Sequence, residues 1–270
     1  MRYDIMKIRQ KETTTMMTNK SIRQAARHQL KQTPNKYKIF LTPILLILIY
    51  TGIERILLQN EENLTLPGFR FIPLFAILFT LSASLTMLDI WRKKQTSPTF
   101  TDSTRSFSLS YLGRYLLVSL LHYIYFMLFY LFSIVILGLI AFVLYFIISK
   151  IYPVEINDTV LDPIFVFVLL IVVIIGLMMY GFWYYTFSQV ELILTDQLES
   201  NTYKNPHHVL MTSRRLMKGH RKQAFLLDLS FMPWLILSVV TANLLMIYIL
   251  PYYTTAKVVF YDQVTKHHQS

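Results

Sequence analysis

A chain of 270 residues that is 54% hydrophobic, with a mean hydropathy of +0.44, is too apolar for a water-facing surface and reads as a membrane protein. Cysteine is absent, which excludes disulfides, thiolate nucleophiles and Cys-ligated zinc or iron-sulfur centres. The net charge of +11 falls in blocks between long apolar stretches, where it orients spans and meets anionic headgroups instead of nucleic acid.

Residues 1–17 show neither apolar periodicity nor turn chemistry, and read as a disordered leader or a misassigned start. No cleavable signal peptide is expected, because the first apolar stretch begins only near Ile39 and is too long for one. The run NKSIRQAARHQLKQ puts Ile22, Ala25, Ala26 and Leu30 on one stripe. With Lys20, Arg23, Arg27 and Lys31 on the other faces, it predicts a basic amphipathic helix, lying on the membrane surface or solvated as a leader. A bilayer core needs about 20 apolar residues, and residues 39–58 and 71–90 meet that length as a helical hairpin around the acidic linker QNEENLTLPGFR.

Residues 112–149 are too long for one upright span and too short for two with a turn. One long helix is expected, because an irregular turn at mid-membrane would leave backbone groups unpaired in lipid. Residues 164–188 form the fourth span, ending in Phe182, Trp183, Tyr184 and Tyr185, a cluster suited to an interfacial belt. The last apolar region is either one span over 231–250 or a tight hairpin of 225–241 and 244–261, with Asn243 in its turn. Six spans are favoured over five. A polar tail, 264–270, follows. The expected fold is an all-α, multi-pass transmembrane helical bundle forming one integral membrane domain over 18–263.

Lys and Arg concentrate before residue 39, at 92–105 and at 204–222, whereas Glu61, Glu62, Glu155, Asp158 and Asp162 fill the intervening loops. This alternation places the basic loops and the N-terminus in the cytoplasm, with the C-terminus there too if there are six spans. The partners implied are a bilayer with anionic cytoplasmic headgroups and another membrane protein.

Polar residues near or within spans are the functional candidates, since burying them in lipid costs several kcal/mol. Glu54 and Arg55 lie close to a span end and read as interface anchors. Asp89 and Arg114 flank one loop and are expected to pair. His122 is the histidine set well inside a span, and packing with a hydrogen bond is expected for it. Asp228, followed by Ser230 and Pro233, reads as a helix cap, or alternatively as a proton or cation site. Asn243 forms a turn or bonds between helices.

No nucleophile elbow, Walker loop or zinc-protease helix is present, and His207-His208 and His267-His268 lack the spacing of two ligands on one face. No catalytic, cofactor or metal residues are therefore assigned. Asn63 and Asn157 begin glycosylation sequons.

The stretch from Ser213 to Gln263 carries Ser213-Arg214, Met217-Lys218-Gly219, Phe225, Leu229-Ser230-Phe231, Trp234, Thr241, Pro251-Tyr252, Thr255 and Phe260-Tyr261. It resembles the C-terminal signature of a bacterial family of uncharacterised integral membrane proteins, domain of unknown function 975. The opening NKSIRQAARHQL resembles that family's start. Where the family tends to carry glycines, this chain has Ala242-Asn243 and Met232-Pro233. The resemblance implies a fold and a bacterial plasma membrane, and no activity. Two functions remain open: a non-catalytic protein acting by association, as an accessory to export or immunity or as an envelope regulator, and a transporter or lipid-handling protein using Asp228, Arg114 and His122 around a cavity.

Overall fold

The computed structural model describes residues 17–59, 68–151 and 163–269. The leader, the acidic loop residues Glu61, Glu62, Glu155, Asp158 and Asp162, and both sequons lie outside the described residues. Those described are helical, with no strand among them: α1 (Asn19–Gln32), α2 (Tyr37–Gln59), α3 (Ile72–Trp91), α4 (Leu109–Ile151), α5 (Pro163–Phe187), α6 (Val190–Glu199), α7 (Pro206–Leu216), α8 (Arg221–Leu229), α9 (Met232–Val240) and α10 (Met246–Gln269). Short 3-10 segments cover Phe69–Phe71 and Thr101–Phe107. Five stretches, Tyr37–Leu57, Phe69–Trp91, Leu109–Ile147, Val166–Glu199 and Arg221–Val240, are long and apolar enough to cross a bilayer, and the chain is a membrane-embedded helical bundle.

α1 is the expected amphipathic helix: Thr18 caps it by accepting from the Ser21 amide, and its buried stripe is Ile22, Ala26 and Leu30. That stripe packs on α10. The long stretch after residue 108 is a single helix, α4.

The terminal region is a hairpin. Trp234 packs against Tyr248 at 6.4 Å between ring centres, Phe231 against Tyr252 at 4.9 Å, and the Tyr253 hydroxyl donates to Asp228 at 3.0 Å, so α8–α9 and α10 run antiparallel. The turn between them uses left-handed backbone at Ala242 (φ 54°) and Asn243 (φ 64°), and Ser238 donates to the Asn243 side chain at 3.1 Å. One end of the hairpin reaches the end of α2, where Arg55 donates to the Val239 carbonyl at 3.4 Å. The other end reaches the end of α3, where Trp91 donates to Asp262 at 2.9 Å. α10 therefore runs the length of the bundle beside α2 and α3, although Lys257, Asp262 and Lys266 make it more polar than the five apolar stretches.

The basic loop expected after residue 188 is folded. α5 breaks at Ser188-Gln189, and α6 then turns into the protein with Val190, Leu192, Ile193 and Leu194 buried. α7 follows, with Pro206 in its first turn and Asn205 as its cap, accepting from the His208 amide at 2.7 Å. His207 and His208 are accordingly not free loop residues: Tyr125 bonds His207 at 2.9 Å and Gln197 lies 3.4 Å from His208.

These short helices divide the molecule into two halves. α1, α2, α3 and α10 share one packed core with the short helices α6, α7 and α8, the base of the molecule. This core runs from Ile22 through Leu81 and Ile90 to Val264 and takes in only the near ends of α4 and α5 at Tyr111, Val118 and Phe187. α4 and α5 instead pack on each other and reach the rest chiefly through α6, α7, α8 and the 3-10 segment at Thr101–Phe107. Half of the apolar window of α3 is buried (50%), against 6% for α4 and for the stretch containing α5. The α4–α5 pair is an arm standing apart from the bundle, with a cleft between them.

Candidate functional site

The base of the cleft is closed by ion pairs. Arg92, at the end of α3, grips Asp196 with two nitrogens at 2.6 and 3.0 Å, and its Nε donates to Asp262 at 3.0 Å. Asp262 also accepts from Trp91 and pairs with Lys266 at 2.7 Å, while Tyr261 donates to Asp196 at 2.7 Å. Beside this group Arg105 bridges Asp89 and Glu199, and Lys94 joins both carboxylates. Burial by itself would lower the Arg92 pKa, but the hydrogen bonds and charges of Asp196 and Asp262 outweigh it and raise the value. The same balance raises Arg105, again with burial opposed by Asp89 and Glu199. Charges so fully engaged among α3, α6 and α10 fix the base as one unit.

The pairing expected between Asp89 and Arg114 is not formed. The 3-10 segment folds back on α3 because the Ser106 amide and hydroxyl bond Ser82 and the Leu78 carbonyl, all buried, and this presents Arg105 to Asp89. Arg114 instead lies over the Tyr203 ring at 5.2 Å. The capping role expected of Asp228 is not formed either. α9 has Phe231 at its N-cap with no side-chain bond, while Asp228 sits in the last turn of α8 and accepts from Tyr253. His122 is packed and bonded as expected: the Trp183 indole donates to its Nε2 at 3.1 Å, and Phe187 lies 5.0 Å away. Asn243 sits in the turn.

Above the base the cleft opens. A cavity of about 490 Å3 is lined by Tyr115, Ser119, His122, Trp183, Tyr184, Glu191 and Lys257, among others. A second, of about 330 Å3, runs along α2 and α3 from Tyr50 and Pro73 through Thr80 and Ser84, and it too ends on Glu191. Glu191 thus lines both cavities. It lies in the first turn of α6, where the helix dipole favours negative charge, and Tyr115 donates to it at 3.4 Å. Lys257 faces the first cavity, its ammonium 4.7 Å from the Tyr253 ring centre and 5.9 Å from that of Tyr184. Among the described residues neither Glu191 nor Lys257 forms an ion pair, whereas Asp89, Asp196, Glu199 and Asp262 in the base all do.

Neither Glu191 nor Lys257 stood out in the sequence as a site residue. The signal available was a carboxylate and an ammonium beside apolar runs, but only the break at Ser188-Gln189 and the pairing of α10 turn them toward one space. Among the described residues, no group of three or more potential ligands could hold a metal ion.

The signature residues build the hairpin and its seat. Ser213 donates to the Thr186 carbonyl at 3.0 Å, Met217 is fully buried, and Gly219 turns the chain between α7 and α8 with φ 90°, a conformation that penalises any Cβ. Arg214 is exposed on α7. Phe231, Trp234 and Tyr252 line the hairpin seam, Pro251 is buried within α10, and Tyr261 ties the hairpin to Asp196. Neither the curated proteins nor the solved structures contain a match to the chain. A family model described as a protein of unknown function, DUF975, matches residues 16–268, and the chain belongs to that family.

Proposed function

We propose that the protein is a lipid-handling membrane protein that takes an amphipathic molecule into the cleft between its bundle and its α4–α5 arm. The observation that carries this reading is Glu191, an acidic residue lining two cavities among apolar helices, whose carboxylate accepts among the described residues only a long hydrogen bond from Tyr115. Ionisable groups are costly among apolar helices and are kept chiefly for function. The cleft also suits an amphiphile: charge at its base, aromatic walls above, and an open side whose lip residues Tyr123 and Tyr180 are 57% and 55% exposed.

The absence of cysteine makes the test clean, since single-cysteine variants carry one reactive thiol. Ser119→Cys, in the cleft, should react with a small maleimide at least 10-fold faster than Val118→Cys, which is buried. A photoactivatable phospholipid labelled near its headgroup should crosslink within residues 115–126 and 180–191. Equal thiol rates, with crosslinks confined to the arm beyond residue 128, would overturn the reading.

A second reading, action by association with another membrane component, has its own support. A groove of about 460 Å3 runs between α5 and α8, lined by Ile174, Leu177, Met178, Gly181, Phe182 and Phe225 and headed by Arg221, which stacks on Phe182 at 4.1 Å. Gly181 in this groove leaves room for a transmembrane helix to approach closely. A bulky Gly181→Leu change should abolish recovery of any such partner.

For localisation, we infer a bacterial plasma membrane with the basic base facing the cytoplasm and six crossings. Its support is the concentration of Lys and Arg at 92–105 and 204–222, together with the hairpin geometry of α8–α10.

A further inference from the structure

We propose that the ligand of the cleft is a phospholipid with a zwitterionic headgroup, its ammonium received by Glu191 and its phosphate by Lys257. This rests on the reading of the cleft as a lipid site. Two opposite charges lie on the wall of one cavity, yet they do not close into an ion pair with each other or with any described residue. Opposite charges attract strongly in surroundings of low dielectric, yet Lys257 lies over Tyr253, whose hydroxyl donates to Asp228, and Glu191 accepts from Tyr115, which leaves room between the two charges. A molecule carrying an ammonium and a phosphate a few bonds apart satisfies both. An anionic headgroup would satisfy Lys257 and be repelled by Glu191; a cationic one would do the reverse.

The position of the charges selects a lipid over a soluble zwitterion. Lys257 lies against Tyr184, and Tyr185 packs on Phe225 at 5.8 Å. Large side chains are exposed around this level, Tyr184 on α5, Phe225 on α8 and Leu116 on α4, and continue outward along the arm. The charged pair therefore sits where headgroups meet the hydrocarbon region. From there the walls rise along α4 from Tyr115 to Phe126, about 16 Å at 1.5 Å per residue, a length suited to the glycerol and upper acyl chain.

His122 adds a donor on the way. Because the Trp183 indole can only donate, His122 Nε2 accepts, and the neutral ring carries its proton on Nδ1. That N–H has no partner among the described residues and suits an ester carbonyl.

The test uses the full chain in detergent micelles doped with phosphatidylethanolamine, phosphatidylcholine or phosphatidylglycerol. It reads bound lipid by native mass spectrometry and protection of Ser119→Cys from maleimide. The wild-type site should prefer the zwitterionic lipids over phosphatidylglycerol by at least 10-fold. Glu191→Gln, nearly isosteric, should cut that preference to about 2-fold or less, and Lys257→Met should lower zwitterionic binding at least 10-fold while Lys257→Arg keeps it. Full preference in folded Glu191→Gln would overturn the inference whatever the fate of the Lys257 variants. Equal protection by phosphatidylglycerol would overturn the headgroup assignment alone and leave the cleft as a lipid site. Protection by no lipid would remove both. Deacylated glycerophosphoethanolamine protecting as well as the lipid would overturn the lipid assignment in favour of a soluble zwitterion.

Discussion

Replacing Arg92 by Met should reveal how much of the molecule depends on the base. The guanidinium is shared by two carboxylates, Asp196 at 2.6 Å and Asp262 at 3.0 Å, and its own side chain is 20% exposed against 5% for Asp262 and 25% for Asp196. Removing one partner of a fully buried pair costs roughly 3–5 kcal/mol, because the other charge is left without compensation. Partial exposure of Arg92 and Asp196 reduces this to about 2–4 kcal/mol, since water can relieve Asp196 and Lys266 still serves Asp262. At about 3 °C per kcal/mol for a domain of this size, the melting temperature in detergent should fall by roughly 6–12 °C. Arg92→Lys should lie in between, since an ammonium restores charge but cannot hold two carboxylates with a planar fork. In a double-mutant cycle with Asp262→Asn the two changes should be non-additive by at least about 1 kcal/mol. A shift under 2 °C for Arg92→Met, or simple additivity with Asp262→Asn, would refute the claim that this network fixes the base.

Acid should weaken the same region. Burial favours a neutral Asp262 carboxyl, but hydrogen bonds from Lys266, Arg92 and Trp91 outweigh it and hold its pKa below the ordinary 3.8. A carboxyl depressed in the folded state stabilises above its unfolded value and loses that stabilisation as pH falls through the folded one. The wild-type melting temperature should therefore drop below about pH 4, and Asp262→Asn should remove part of the drop; Asp102, where burial is outweighed by the Thr99 amide and Gln95, supplies another part. An unchanged acid profile in Asp262→Asn would contradict this. Ala242→Gly should raise stability by about 0.5–1 kcal/mol, because Ala242 holds φ 54° at a site where glycine has no Cβ to clash; calorimetry showing a loss would mean that the turn is not left-handed. Trp183→Phe should cost about 1–2 kcal/mol by leaving His122 Nε2 without its donor, measured as a lowered unfolding midpoint. Reporter fusions inserted at Asn243 and joined at Ser270 should report opposite faces of the membrane; the same face for both would exclude α10 as a crossing helix.

Much of this architecture was legible in the sequence because lipid imposes one dominant requirement. Where a helix meets hydrocarbon, as α4 and α5 do along most of their length, an unbroken apolar run is necessary and hydropathy finds it. The hairpin of α8–α10 was legible as one of two alternatives, because the Thr241-Ala242-Asn243 turn leaves only a weak local signal. α6 and α7 were not legible as elements. They pack against protein, so Val190, Leu192, Ile193, Leu194, Val209 and Leu210 suffice, interleaved with polar residues whose partners are distant in the chain. Asp196 finds Arg92 at a separation of 104 residues, and no local pattern reports that. Asp89 illustrates the limit at short range: Arg114 and Arg105 were both at hand, and two buried serines chose between them.

The candidate site was less legible than the fold for a related reason. Position along an apolar run ranks an ionisable residue by depth, so Asp228 and His122 attract notice while Glu191, just past the run of α5, and Lys257, midway along the comparatively polar α10, do not. Depth along a helix is a poor guide when the helices are of unequal length and splay. The arm leaves the bundle at the base, so Glu191 at the start of α6 and Lys257 midway along α10 come to line one cleft rather than the membrane surface. What distinguishes Glu191 and Lys257 is that they line one cavity without an ion pair among the described residues, held only by tyrosines, beside a base whose carboxylates are all paired.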